Sequence, residues 1–421
     1  MNDEYGIGRE FLIKEAGIRN IFTPNKPIDA IELFFGRKDI VKSVIEGLNT
    51  PGQHLLLYGD RGVGKSSLAN VTAKILDQSG LIEGKLSVKR CSSSDTFSTI
   101  LEQLLKEYCG EALPSESTVT TKGKENLGVK VLGIGAGIEN EITSSQKYTH
   151  QSVDSPSKLA SVLKNKSGLI LIDEFDTLSN SDDKKKVSEL IKLLSDYNSP
   201  FKIFIVGIAK SGTDLTAGHP SVKRCLKEIK LDRMSDPEIK TIFVSGMKKL
   251  NIDVSDQVSE IVVDISNGYP HFAHLIGLKC AEEAVTSHVS KIIKETLIVS
   301  LDKAVKDAEG TMKRLYDNAT QNTSATKSRN IKSILKACSA SAHDDFCLDD
   351  ITSRLKDYNN ELSNSTVSNY LREFTDTNGE SIFCRITRGV YRFNDPRMLS
   401  YIKIKENIQE RTPEKIPYGQ I

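Results

Sequence analysis

The sequence predicts an α/β fold: a mainly parallel sheet with helices on both faces, followed by a helical lid and a winged-helix unit. Three observations carry that prediction. Short apolar runs alternate with amphipathic helical stretches over residues 30 to 232. One run breaks into glycines and then a helix, in "LLLYGDRGVGKSSL" at 55–68. After Asp232 strand patterns give way to helical ones, and the chain closes on three short helices and two short strands joined at Arg388-Gly389.

In chain order, Ile40, Val41, Val44 and Leu48 recur at helical spacing ahead of the strand Leu55 to Tyr58, and a helix from Lys65 follows. "LSVKRC" is strand-like and precedes a helix in "DTFSTILEQLLKEY", where Asp95 is placed to cap. "GLILID" at 168–173, "FKIFIVGI" at 201–208 and "EIKLD" complete five strands, with the helix "VSELIKLLSDY" among them. Such continuous apolar runs suit a sheet buried on both faces. Between Cys109 and Ser155 the rhythm fails; glycines 128, 133, 135 and 137 do not form G-x-G-x-x-G, so an extended hairpin insert is expected.

At 421 residues the chain exceeds one ordinary core. The expected division is an N-terminal extension at 1–29, a nucleotide-binding α/β domain at 30–234 with an insert at 110–155, and a helical lid at 235–318. A polar linker at 319–329 then leads to a winged helix and C-terminal tail at 330–421. With 57 Lys and Arg against 56 Asp and Glu, no overall basic field advertises nucleic acid, so any such contact is a local patch. Seven scattered cysteines without C-x-x-C spacing point to a reducing compartment. "MNDEYGIGREF" has no leader pattern and no stretch approaches 18 apolar residues, so a cytoplasmic protein without membrane contact is expected.

Gly59, Asp60, Arg61, Gly62, Val63, Gly64, Lys65 and Ser66 fit G-x-x-x-x-G-K-[ST], with Ser67 next. Glycines let backbone N–H groups turn inward around phosphates, Lys65 reaches the β and γ oxygens, and the Ser66 hydroxyl suits Mg²⁺. "LILIDEFD" supplies carboxylates at the end of another strand: Asp173 for the metal and Glu174 as general base on water. ATP and Mg²⁺ are the expected cofactors, and hydrolysis the expected chemistry.

With "FFGRKDIV" ahead of this P-loop, the chain resembles the AAA+ ATPases, in the branch of the origin-recognition/Cdc6 initiators and STAND-like ATPases. The resemblance implies a P-loop NTPase sheet and a polar γ-phosphate sensor after the fourth strand. "VGIAKSG" offers Lys210 or Ser211 there, with Ser211 chosen. It also implies an arginine finger in "GHPSVKRCLKEIKLD", assigned to Arg224 with Lys223 as the alternative, reaching into a neighbouring subunit of a homo-oligomer. A second sensor is sought in "NGYPHFAHL", where Pro270 and His271 stand in place of an Arg; His271 and His274 share a helical face without a metal motif.

The winged helix presents Ser365, Thr366, Ser368, Asn369 and Arg372 on its third helix, and Arg385 and Arg388 in the wing. These types suit DNA backbone and base edges, although basic and acidic residues are nearly balanced there and protein docking stays open. Two functions follow. One is an oligomeric ATP-driven switch acting on DNA, as an initiator, loader or transposition regulator. The other is a STAND-like signalling ATPase, in stress or phage defence, whose C-terminal domain holds the nucleotide domain closed and whose output needs an effector or client protein.

Overall fold

The computed structural model describes residues 17–81, 83–109, 154–209, 211–216, 222–307, 310–321, 323–341, 345–358, 360–375 and 381–409. The α/β part runs α1 (Lys38–Asn49), β1 (His54–Gly59), α2 (Lys65–Ser79), β2 (Lys85–Arg90), α3 (Phe97–Cys109), α4 (Pro156–Leu163), β3 (Gly168–Asp173), α5 (Ser181–Asp196), β4 (Phe201–Ile208), α6 (Gly212–Leu215) and β5 (Leu226–Lys230). The strands form one sheet in the order β2-β3-β4-β1-β5, parallel throughout.

Alternation along the strands splits the core in two. Leu55, Leu57, Leu169, Leu171, Phe204 and Val206 face one side, in a core that continues into the lid and C-terminal unit. Leu56, Ile170, Ile172, Ile203 and Ile205 face the other, against the α3–α5 layer. Asp95 does not cap α3: it accepts from Ser92, Lys89 and Thr99, and Asp183 of α5 takes the Phe97 amide at 2.9 Å.

The lid consists of α7 (Asp236–Lys249), β6 (Asp253–Val254), α8 (Asp256–Ser266), α9 (Pro270–Thr286), β7 (Lys291–Ile292), α10 (Lys294–Asp307) and α11 (Gly310–Gln321). The β6–β7 pair is parallel and corrects the expectation that strands end at Asp232. Phe22, ahead of the sheet, is 1% exposed; its ring fills the notch left by Gly246 of α7 and Gly277 of α9 so closely that a Cβ on either would clash with it.

The C-terminal unit is α12 (Ala325–Ser339), β8 (Asp345–Cys347), α13 (Leu348–Asp357), α14 (Asn364–Glu373), β9 (Phe383–Thr387), β10 (Val390–Phe393) and α15 (Met398–Gln409). Its three strands pair antiparallel in the order β8-β10-β9 around Phe346, Phe383 and Phe393. α15 packs on α8, α10 and α12, and Lys403 Nζ reaches Asp264 Oδ1 at 2.6 Å.

The linker expected at 319–329 is corrected by the structure. α11 runs to Gln321 with Ala319 and Thr320 buried, and Ser324 accepts from the Lys327 amide to cap α12. The hydroxyls read as linker composition serve as a cap and as bonds inside the helices. Of the insert expected at 110–155, residues 110–153 lie outside the described residues.

Candidate functional site

The carboxyl ends of β1, β3 and β4 bring three sequence-distant pieces together at one cavity of about 690 Å³. Arg61 to Ser67, Asp173, Glu174, Asp176, Gly207 and Ile208 line it from the sheet side. Thr23 to Ile28 form a strap across it, and Met234, Ile242, Pro270, His271 and His274 line it from the lid. Arg397, at the start of α15, also lines it.

The P-loop is laid out as a cradle. Gly62 and Gly64 take φ of 82° and 91°, which a residue with a Cβ adopts only under strain. Lys65 Nζ donates to the Gly59 and Asp60 carbonyls at 3.1 and 2.7 Å. Burial lowers its pKa to about 8, against the pull of Asp176 and Asp173. Ser67 Oγ accepts from the Ile28 amide at 3.0 Å, so this second hydroxyl positions the strap.

Asp173 is 3% exposed. Its Oδ1 accepts from the Glu174 amide at 2.9 Å, while buried Oδ2 accepts no hydrogen bond among the described residues and lies 3.9 Å from Arg90 Nε. A buried carboxylate oxygen without a donor, in one cavity with the Ser66 hydroxyl, is a donor set that fits a hard divalent cation such as Mg²⁺. Glu174 sits half-exposed in the left-handed region at φ 56°, its Oε1 also 3.9 Å from Arg90 Nε. Asp176 accepts from the Ile208 amide at 2.7 Å and so clips the turn after β3 to the end of β4.

Arg37 is 7% exposed at φ 57°. Its guanidinium donates to the Asp232 carbonyl at 2.9 Å, and burial lowers its pKa to about 10 despite Glu238 and Asp232 nearby. His271 Nδ1 meets the Pro24 carbonyl at 3.0 Å and His274 Nδ1 accepts from the Thr23 amide at 3.2 Å. Among the described residues no cluster of three His, Cys, Asp or Glu suits a metal ion.

Two expected site residues are not brought to this cavity. Ser211 caps α6, in a reciprocal box with Asp214, and its hydroxyl meets Thr213 Oγ1 at 2.8 Å; Lys210 lies outside the described residues. Arg224 precedes β5, at the amino edge of the sheet, and its exposed guanidinium donates to Asp196 at 2.7 Å. Lys223 beside it is exposed too.

In the C-terminal unit, Leu348, Ser368, Arg372, Thr375, Arg385, Arg388, Gly389 and Tyr391 line a groove of about 730 Å³ between α14 and the β9–β10 hairpin. Ser365 and Thr366 are spent on the α14 cap, their hydroxyls meeting Ser363 Oγ at 2.8 and 2.9 Å. Asn369 Oδ1 accepts from Arg372 at 3.0 Å, and Arg385 Nε donates to the Thr387 carbonyl at 3.2 Å. Sequence reasoning passed over Arg90 and Arg397. The signal for Arg90 is a pairing register, Arg90 opposite Asp173, which exists only once the sheet is formed.

No described helix is long and apolar enough to cross a membrane. No curated protein matches the chain. Among solved structures the chain is similar to a Walker-type ATPase of Pyrococcus abyssi, at 14% identity and TM-score 0.49, covering 90% of this chain and 99% of that one. It is similar at 14% identity to the Orc1 protein of Aeropyrum pernix solved with DNA, with TM-score 0.46 and coverage of 92% and 96%. The RuvB Holliday-junction branch-migration motor of Thermotoga maritima matches at 14% identity and TM-score 0.42, covering 87% and 94%. The profile of the family described as novel STAND NTPase 1 matches residues 27–338, from the strap through the P-loop, β3 and the lid into α12, and the chain belongs to that family of P-loop NTPases.

Proposed function

We propose that the chain is a Mg²⁺-dependent, ATP-hydrolysing switch whose C-terminal unit, a winged helix, is seated on its own nucleotide site. One observation carries this reading. Arg397, more than 300 residues beyond the P-loop, is 4% exposed and packs so closely on Gly62 that a Cβ there would lie 2.9 Å from its Cδ. Asp395 holds the guanidinium through Nε at 3.0 Å and a second nitrogen at 2.6 Å. The C-terminal unit thus sets an Arg–Asp ion pair against the P-loop at Gly62, on the cavity that Lys65 and Asp173 also line, and in this reading a change in phosphate charge shifts the balance of that pair.

In this reading Ser66 and Asp173 hold Mg²⁺, which when bound neutralises charge on the phosphates. Glu174 takes a proton from water as the water oxygen bonds to the γ-phosphorus; the bond to the β–γ bridging oxygen breaks and ADP leaves. Arg224 serves a neighbouring copy in the assembled state, a role compatible with its exposure away from its own cavity. The test is Arg397→Ala. Faster exchange of bound ADP and a larger assembly with ATP are expected, and unchanged exchange and size reject closure by the C-terminal unit.

A second reading, action on DNA, is favoured by the groove. Arg372, Arg385 and Arg388 share one surface, while the nearby acids are engaged elsewhere, Glu373 with Lys327 at 2.7 Å and Asp349 with Asn364 at 2.9 Å. The family and the Arg397 contact put the closed switch first; DNA contact is then an output of the opened state.

A further inference from the structure

The chain passes from sheet to lid in one short stretch, and each side of the crossing is tied to its own part. The Leu231 amide donates to the Tyr58 carbonyl at 2.7 Å, continuing the β1 ladder, and the Leu231 carbonyl lies where a Cβ on Gly59 would stand. On the other side, the Arg233 guanidinium donates to the Tyr269 hydroxyl at 2.8 Å and lies 4.7 Å from the ring centre. The Met234 amide then donates to the Gly268 carbonyl at 2.9 Å. Leu231 therefore belongs to the sheet and Arg233 to the lid. Asp232 stands between them, its carbonyl held by Arg37 at 2.9 Å.

The C-terminal unit is joined to these two parts unequally. Packed on α8, α10 and α12, α15 buries Met398, Leu399, Tyr401, Ile402 and Ile404, none more than 4% exposed. The Tyr401 ring meets Tyr316 of α11 edge-on, with centroids 5.7 Å apart. Beside this apolar contact, Lys403 Nζ donates to the Asp264 carbonyl and carboxylate at 3.2 and 2.6 Å, and Ser400 Oγ donates to the Ser266 carbonyl at 3.3 Å. Parting α15 from the lid returns that apolar surface to water, the dominant cost in separating packed elements. Parting it from Gly62 leaves the Arg397–Asp395 pair whole, since both partners lie in the C-terminal unit.

We propose that the lid and the C-terminal unit swing as one rigid body about Asp232, so that the C-terminal unit leaves the P-loop only when the lid does. The inference rests on the closed-switch reading above and adds the joint at which the switch opens. A short crossing between two separately fastened parts absorbs a change of backbone angle as a hinge does, whereas an interdigitated core resists sliding. A load on the β9–β10 hairpin then reaches the nucleotide cavity through the lid, with no second joint to take it up.

Two reducible cross-links test this in the full chain, with Cys109, Cys347 and Cys384 changed to Ser. Asp264→Cys with Lys403→Cys, joined by a short bis-methanethiosulfonate, ties the lid to α15. Glu32→Cys with Lys249→Cys replaces a bond from Lys249 Nζ to the Glu32 carbonyl at 3.0 Å, and ties α7 to the stretch that Ile28 and Asp29 fasten to α2. Release of bound fluorescent ADP on a chase with ATP, and assembly size with ATP, are read before and after reduction. The lid–α15 link is expected to leave release within about twofold of the reduced protein, and the α2–lid link to slow it at least about tenfold and block assembly, reversibly on reduction. A lid–α15 link that slows release as much as the other, or an α2–lid link without effect, overturns the joint swing. Arg397→Ala in the same assay separates the two claims. Fast release there beside a slowed lid–α15 link keeps closure and rejects the joint swing, while unchanged release rejects closure and the swing with it.

Discussion

The backbone amide of Arg37 donates to Glu238 Oε1 at 2.7 Å, joining the left-handed turn that opens α1 to the first turn of the lid. The other carboxylate oxygen accepts from the Ser235 amide and hydroxyl, both at 2.9 Å, so one side chain closes the α7 capping box and steadies the α/β part at once.

Glu238→Ala is therefore expected to cost roughly 1–3 kcal/mol, the sum of a lost cap and an orphaned amide, as read by urea unfolding. Burial pulls the pKa of Glu238 upward, but the bonds from Ser235 and Arg37 outweigh it and hold the carboxyl below its ordinary range. A folded pKa below the unfolded one gives stability that is present above the carboxylate range and lost as the pH falls through it. The wild-type protein should lose more stability than the variant on acidification below pH about 4.

Glu174→Gln tests the general base. Binding of ATP is expected to persist, while hydrolysis falls on the order of 100-fold or more and an ATP-bound assembly accumulates. Rapid turnover by this variant removes Glu174 from the chemistry.

Arg224→Ala and Lys65→Ala subunits test a shared site. Each alone is expected to be nearly inactive, and mixtures should regain part of the ATPase rate, since each supplies what the other lacks. Absence of recovery at every ratio confines the site to one subunit.

The groove makes a separate demand. Arg385→Ala with Arg388→Ala should weaken duplex binding and lower its salt slope by about 2, near one unit for each phosphate no longer neutralised. Binding that is unchanged in strength and salt response moves the DNA contact away from the wing.

His54, at the amino end of β1, is buried and its Nδ1 accepts from the Ile203 amide at 3.0 Å. Burial, then the charge of Lys202, lowers its pKa to about 3. The unfolded chain binds this proton first, so stability rises with pH across the window from about 3 to the ordinary imidazole value. Between pH 7 and pH 5 this group alone should cost roughly 2 kcal/mol, and His54→Gln should narrow the gap between urea midpoints at those two pH values.

The parts legible in the sequence are those whose chemistry is contiguous. Gly59 to Ser66 and Asp173-Glu174 each sit at the end of an apolar run, so strand, turn and motif announce one another locally. β8 is too short for any periodicity, three residues that become a strand only because Tyr391 and its neighbours offer an edge. Ser211 is a polar residue in the right stretch of chain whose hydroxyl the helix start claims. Arg397 is illegible for the opposite reason: nothing near it in the chain marks it, and its place beside Gly62 comes from α15 docking onto the lid.

The seat of Phe22 between Gly246 and Gly277 gives the strap two owners. Its front end rides on the lid, while further along Ile28 and Asp29 are tied to α2 through Ser67 and Lys74. A lid that swings must therefore stretch or slacken the short tether between Phe22 and Ile28, carrying Thr23 with it. Grip on the nucleotide and posture of the lid become one mechanical variable, and filling the notch with a single methyl group should loosen the first by disturbing the second.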